Sequence, residues 1–159
     1  GIAVMFAREQ FGLRGDLQSD AASVLPLTRA IQDMEGIRFM RDPTRGGLAT
    51  VLNEIHQSTR LGVRVAMPDI PVRDSVTIVC EMLGYDPLYL ACEGRVVAVV
   101  EKESAKKALM AWQSLPQGEQ AALIGHVTDR ENQYVVITTE LGGERILEEL
   151  EDDPLPRIC

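Results

Sequence analysis

Cysteine is scarce: three residues in 159, an odd number and widely spaced, so no disulfide framework is written into the chain. A reducing cytoplasm is the simplest home for it. Histidine is scarcer still, and Cys80, Cys92, Cys159, His56 and His126 lack the close Cys/His spacing that a zinc site needs. No apolar run approaches the length of a membrane span, and no signal peptide is visible. Basic residues are outnumbered, 16 to 24, and the formal charge of -8 argues against nucleic acid or an anionic membrane surface as the main partner. A complete nucleotide site is also missing, because no Walker-type glycine loop occurs. There is no internal repeat and no initiator Met at Gly1, which suggests a piece of a longer protein.

What is present is enough apolar residue, 45% of 159, to bury one sizeable core, and a mixed α/β order of elements. Ile2, Met5 and Phe6 suggest a short helix. Val24-Leu25 through Met34 predicts another, with Leu27, Ala30, Ile31 and Met34 on one face and Gly36 closing it. A strand at Ile37–Met40 then runs into Asp42-Pro43-Thr44-Arg45-Gly46-Gly47. Leu48, Val51, Leu52 and Ile55 follow at helical spacing. Further along come a strand at Gly62–Ala66 and a helix from Val72 to Leu83, with Val76, Val79, Cys80 and Leu83 inward and Gly84 ending it. Arg95–Val100 has the continuous apolar run of a strand covered on both faces. A helix over Ser104–Leu115 turns Ala108, Leu109 and Trp112 inward. Strands at Leu123–Val127 and Tyr134–Thr138 follow, then a Gly142-Gly143 turn. Arg145–Leu150 reads equally as strand or short helix.

Three places carry candidate chemistry. The first is the DPTRGG stretch at a strand-to-helix turn. Paired glycines there let a ligand approach backbone N–H groups, the helix N-terminus favours negative charge, and Arg45 adds a fixed cation for a phosphate or carboxylate. A tight turn capped by Asp42 or Thr44 is the structural alternative. The second is Glu93, between an apolar stretch and a buried-looking strand. Burial would raise its pKa toward that of a general base, while a salt bridge to Arg95 or another arginine is the competing reading. Cys80 reads as packing, Cys92 as a small buried residue or spectator thiol, His126 as a structural histidine within an apolar strand, and His56 as solvent-facing.

The third is the terminal stretch Pro154-Leu155-Pro156-Arg157-Ile158-Cys159. Two prolines exclude helix and central strand, so an extended, flexible tail is expected, reaching roughly 15–20 Å at ~3.1 Å per residue. A thiol on the last residue fits no prenylation signal, which needs its Cys four residues from the end.

RDPTRGGLA at 41–49, EGRVV at 93–97, LIGHV at 123–127 and, above all, PLPRIC at 154–159 resemble the C-terminal half of the HypE family, the hydrogenase-maturation carbamoyl dehydratases. The likeness covers essentially the whole chain. The DPTRGG and EG motifs are shared with the wider aminoimidazole-ribonucleotide synthetase (PurM) superfamily, and the PLPRIC ending narrows the match. One departure is Cys92, where the family often carries Asn.

The resemblance implies a PurM-like C-terminal domain over residues 1–153, with helices in a three-layer arrangement about a mixed sheet, and a tail at 154–159. An ATP-binding domain would precede Gly1. ATP with Mg would be bound mainly there, with no cofactor expected on this fragment alone. Cys159 would receive a carbamoyl group from the carbamoyltransferase HypF. ATP-dependent dehydration would turn it into a thiocyanate, and the cyano group would pass through HypC–HypD to the iron of [NiFe] hydrogenase. Glu93 would be the base, and Asp42, Thr44, Arg45, Gly46 and Gly47 the phosphate-side wall. A full-length homodimer is also implied, and the fragment alone would be inactive. A non-catalytic partner-binding module, or another ATP-dependent synthetase of the superfamily, remains the alternative.

Overall fold

The computed structural model describes residues 19–129 and 134–149. Its elements are α1 (Leu25–Ile31), β1 (Ile37–Arg41), α2 (Gly47–Thr59), β2 (Val63–Ala66), α3 (Asp74–Leu83), β3 (Val97–Val100), α4 (Lys102–Gln113), β4 (Gly125–Val127), β5 (Val135–Thr138) and β6 (Glu144–Ile146). Short 3-10 turns occupy Met67–Asp69, Pro87–Tyr89 and Pro116–Gly118. The mixed α/β architecture expected from the sequence is the one that forms.

The apolar stripe of α2 decides where the core sits. Ala49, Val51, Leu52 and Ile55 are buried against Val63 and Val65 of β2 and Val135 and Ile137 of β5. In β2 and β5 alternate residues point into this core, as period-two patterning requires. The two strands run parallel, with Val63 opposite Val135 and Val65 opposite Ile137. Antiparallel β4 and β6 flank them, giving the order β4-β2-β5-β6.

A separate antiparallel ribbon pairs β1 with β3. Helix α4 packs on it and on α1, where the Trp112 indole N–H donates to the Leu27 carbonyl at 2.9 Å. Of the strand expected at Arg95–Val100 only Val97–Val100 forms, and its four residues are half-buried rather than fully covered, with Val97 and Val99 packed against the core.

Helix α1 is shorter than its apolar spacing predicts. The Met34 N–H turns back to the Ile31 carbonyl at 2.9 Å, a tighter turn that ends the helix before Gly36. Of the stretch Arg145–Leu150 that reads equally as strand or short helix, Arg145 and Ile146 are strand: β6 pairs with β5, Ile146 opposite Val136. Leu147 then drops into the core at 1% exposure, its N–H bonded to the Val135 carbonyl at 2.8 Å. The expected helix around Ile2–Phe6, the boundary at 153 and the tail lie outside the described residues.

Leu147→Ala therefore removes a fully buried side chain, and the expected loss is about 2–5 kcal/mol. Leu141, at 99% exposure on the β5–β6 turn, is the control, with Leu141→Ala expected within about 0.5 kcal/mol of the parent. Urea midpoints at constant slope measure both.

Candidate functional site

Strand β1 ends at Arg41 and α2 starts at Gly47, so the DPTRGG stretch is the strand-to-helix turn predicted for it. Gly46, the N-cap, and Gly47 both have left-handed backbones, with φ of 67° and 62°. The Gly47 N–H closes the turn on the Thr44 carbonyl at 3.2 Å. No side chain caps this helix, which leaves its first-turn amides and their positive dipole end without a side-chain acceptor. Asp42 and Arg45 are exposed and Thr44 is half-buried. Among the described residues Arg45 makes no ion pair, so its guanidinium is available to an anion.

The glycine pair serves a different close approach from the one expected. A Cβ at Gly47 would lie 2.5 Å from the Leu88 carbonyl oxygen and 2.6 Å from that of Leu90. A Cβ at Gly46 would meet Thr50 Oγ1 at 2.0 Å. The space left by the missing side chains is thus filled by the chain itself. The start of α2 is pressed onto the Pro87–Leu90 turn.

That contact brings the Glu93 loop alongside. The Cys92 N–H donates to the Pro43 carbonyl at 2.9 Å, and the Glu93 N–H to Asp20 Oδ2 at 3.1 Å. Gly94 packs so tightly that a Cβ there would sit 2.1 Å from the Asp20 carbonyl oxygen. Three segments, around Asp20, Asp42–Gly47 and Leu90–Gly94, therefore meet, and the structure joins Glu93 to the predicted phosphate wall.

Glu93 itself corrects the sequence reading, because its side chain is exposed rather than buried. Its backbone is held from both sides while the carboxylate faces outward. The salt bridge to Arg95 does not form either, since Arg95 Nη1 donates to the Gly94 carbonyl at 3.0 Å. Cys92 is half-buried and its thiol donates to the Leu90 carbonyl at 3.3 Å. Burial, then the Asp20 carboxylate, push this thiol up; Arg95 opposes them and Glu93 adds to them, so the thiolate is disfavoured. Cys80 is core packing as expected, its thiol pushed up by burial and then by Asp86. His126 is exposed on β4 opposite Arg64, not inside an apolar strand. His56 is half-buried, its Nδ1 2.8 Å from the Leu61 carbonyl, rather than facing solvent.

Sequence reasoning missed a set of residues that anchors the chain ahead of its last ten. Asn53, buried on α2, donates from Nδ2 to the carbonyls of Ala49 at 3.0 Å and Leu147 at 3.2 Å. The Tyr89 hydroxyl donates to the Glu148 carbonyl at 2.9 Å, and burial pushes this phenol up so that it stays a donor. Gln57 donates to Glu149 at 2.7 Å, and Arg145 pairs with Asp86 at 2.6 Å. The available signal was Asn53, a polar residue within the apolar stripe of α2. No group of three or more His, Cys, Asp or Glu able to hold a metal occurs among the described residues. Open depressions of about 480 and 400 Å³ lie elsewhere, lined by Phe39 and Arg41 in one case and by Met67 and Ile137 in the other.

The family model described as AIR synthase related protein, C-terminal domain, matches residues 1–138. Carbamoyl dehydratase HypE of Rhizobium leguminosarum bv. viciae is 45% identical over 161 residues, covering 100% of this chain and 46% of that protein. A solved HypE–HypF complex contains a chain that superposes with a TM-score of 0.89 at 40% identity, covering 94% of this chain and 49% of the other. A hydrogenase maturation protein HypE solved in complex with ATP gives 0.87 at 39% identity, covering 95% and 47%. The chain spans about half the length of the curated relatives it matches. Strand β6 and the anchored residues after it lie beyond the stretch that the family model matches.

Gly47→Ala should cost about 2–4 kcal/mol, combining the left-handed backbone with a clash against two carbonyls that cannot swing away. Gly84, at φ +73° with no atom within 4 Å of where a Cβ would stand, isolates the backbone contribution, and Gly84→Ala should cost about 1 kcal/mol. The difference between the two in chemical denaturation measures the contact that assembles the site.

Proposed function

The chain belongs to the AIR synthase related protein C-terminal domain family, and from that premise we propose that it is the C-terminal half of a HypE-type carbamoyl dehydratase. The observation that carries this reading is the convergence of Asp42–Gly47 with Glu93, in a chain all of whose residues align at 45% identity with part of a carbamoyl dehydratase. The reaction is ATP-dependent dehydration of a carbamoyl group carried on Cys159. It supplies cyanide ligands for the iron of [NiFe] hydrogenase.

The chemistry sets what each residue must do. A thiolate at Cys159 attacks the carbonyl carbon of an activated carbamoyl donor held by the carbamoyltransferase; the bond from that carbon to the donor's phosphate oxygen breaks, the phosphate side leaves, and the sulfur becomes S–C(=O)NH2. The amide oxygen is a poor leaving group until it carries a phosphoryl group from ATP. It then departs as phosphate, while the two N–H protons are lost and the C≡N bond forms. Glu93 takes a proton in that step, and its outward-facing carboxylate is open to a substrate brought from outside the domain. Arg45 and the uncapped start of α2 suit the developing phosphate charge, with Asp42, Thr44, Gly46 and Gly47 shaping that wall. ATP and magnesium are held mainly by residues outside this chain.

A HypF-type carbamoyltransferase loads the thiol, and a HypC–HypD-type complex receives the cyano group. The working protein is a homodimer in the cytoplasm, and the present chain alone turns over no ATP. No helix among the described residues is long and apolar enough to cross a membrane.

Mass spectrometry of the C-terminal peptide tests this in a full-length protein carrying this sequence, supplied with the carbamoyltransferase, carbamoyl phosphate and ATP. Glu93→Gln should accumulate the carbamoylated thiol while cyanation slows by about 10²–10⁴-fold. Cys159→Ala should carry no adduct. Cyanation of Glu93→Gln at the parent rate would remove Glu93 from the chemistry.

A further inference from the structure

Glu93 has an unusual mechanical position for a working base. Its carboxylate is exposed and, among the described residues, makes no side-chain hydrogen bond or ion pair, so nothing attached to the carboxylate aims it. Its direction is set by the backbone, and one residue touches that backbone at both Glu93 and Gly94. Asp20 Oδ2 accepts the Glu93 N–H at 3.1 Å, while the Asp20 carbonyl oxygen lies where a Cβ of Gly94 would be, 2.1 Å away. One residue 73 positions earlier therefore touches the chain on both sides of the Glu93 Cα. The preceding amide, Cys92 N–H, is fixed on Pro43.

We propose that Asp20 is a positioning residue for Glu93, fixing the direction in which the base leaves the loop. The inference rests on the reading of Glu93 as the base. Toward the Glu93 N–H the role needs an oxygen acceptor at position 20 rather than a negative charge. A charge is nevertheless there. It also acts on the neighbouring Cys92 thiol, alongside burial, Arg95 and Glu93, which provides a readout that does not depend on catalysis.

The experiment uses the full-length protein with Asp20→Ala and Asp20→Asn. Asp20→Ala removes the acceptor, and cyanation kcat should fall about 10- to 100-fold, the scale of an ångström-level misplacement, with the KM for ATP within about 2-fold. Asp20→Asn keeps an oxygen acceptor and should recover to within about 3-fold of the parent. The second arm follows iodoacetamide alkylation of Cys92 by peptide mass spectrometry at pH 8. Both substitutions remove the carboxylate, lower the thiol pKa and should speed alkylation.

Three results would overturn the proposal: parental kcat in Asp20→Ala, a loss in Asp20→Asn as deep as in Asp20→Ala, or alkylation unchanged in both variants. The second of these would make Asp20 a charge-dependent participant instead. Parental cyanation in Glu93→Gln overturns the base reading, and Asp20's role with it, while faster Cys92 alkylation still records the contact.

Discussion

Much of this domain depends on one close approach, the first turn of α2 against the carbonyls of Leu88 and Leu90, which only a residue without a Cβ at position 47 permits. From it follow the depth at which α2 sits on β2 and β5, and so the core. The same contact sets the Pro87–Tyr89 turn beside the DPTRGG loop, so that Cys92 can bond Pro43 and Glu93 emerges next to Asp42–Gly47. On the other side of that turn Tyr89 reaches Glu148, which anchors the chain before its last ten residues. A contact between backbones is well suited to this purpose, because it has no rotamers to lose and couples three loops at a fixed distance.

The elements legible in the sequence were those whose signal is local. Val51, Leu52 and Ile55 on α2, the alternating Val63/Val65 and Val135/Ile137, and Gly84 after α3 all sit where their spacing placed them. The misreadings share a different cause. Glu93 reads as buried because its neighbours in sequence are apolar, but β3 pairs only with β1 among the described residues, and the loop before it lies at the surface. The two glycines signalled a close approach correctly without naming the neighbour, since a missing Cβ accommodates a ligand or a carbonyl equally. Asp20, Asn53 and Tyr89 act across separations of 73, 94 and 59 residues, for which a single sequence has no local signature. The role given to Cys159 came from the PLPRIC ending and a family likeness, not from periodicity.

The division of labour suits a carrier chemistry. The domain supplies a loop cluster with an outward carboxylate and an arginine that makes no ion pair among the described residues, both open at the surface. It separately fastens residues 144–149 to α2 and to the Pro87–Tyr89 turn. A site left open in this way can be completed by other parts of the assembly.

The central claim is that the Glu93 loop and the DPTRGG turn form the place where the carbamoyl group loses its oxygen. The most direct measurement is a crystal structure of the full-length protein with carbamoylated Cys159 and a non-hydrolysable ATP analogue. The account predicts a Glu93 carboxylate oxygen about 2.6–3.2 Å from the carbamoyl nitrogen, with Arg45 facing the terminal phosphate. A carbamoyl nitrogen bonded to another group, with Glu93 farther away than one bridging water, would contradict it.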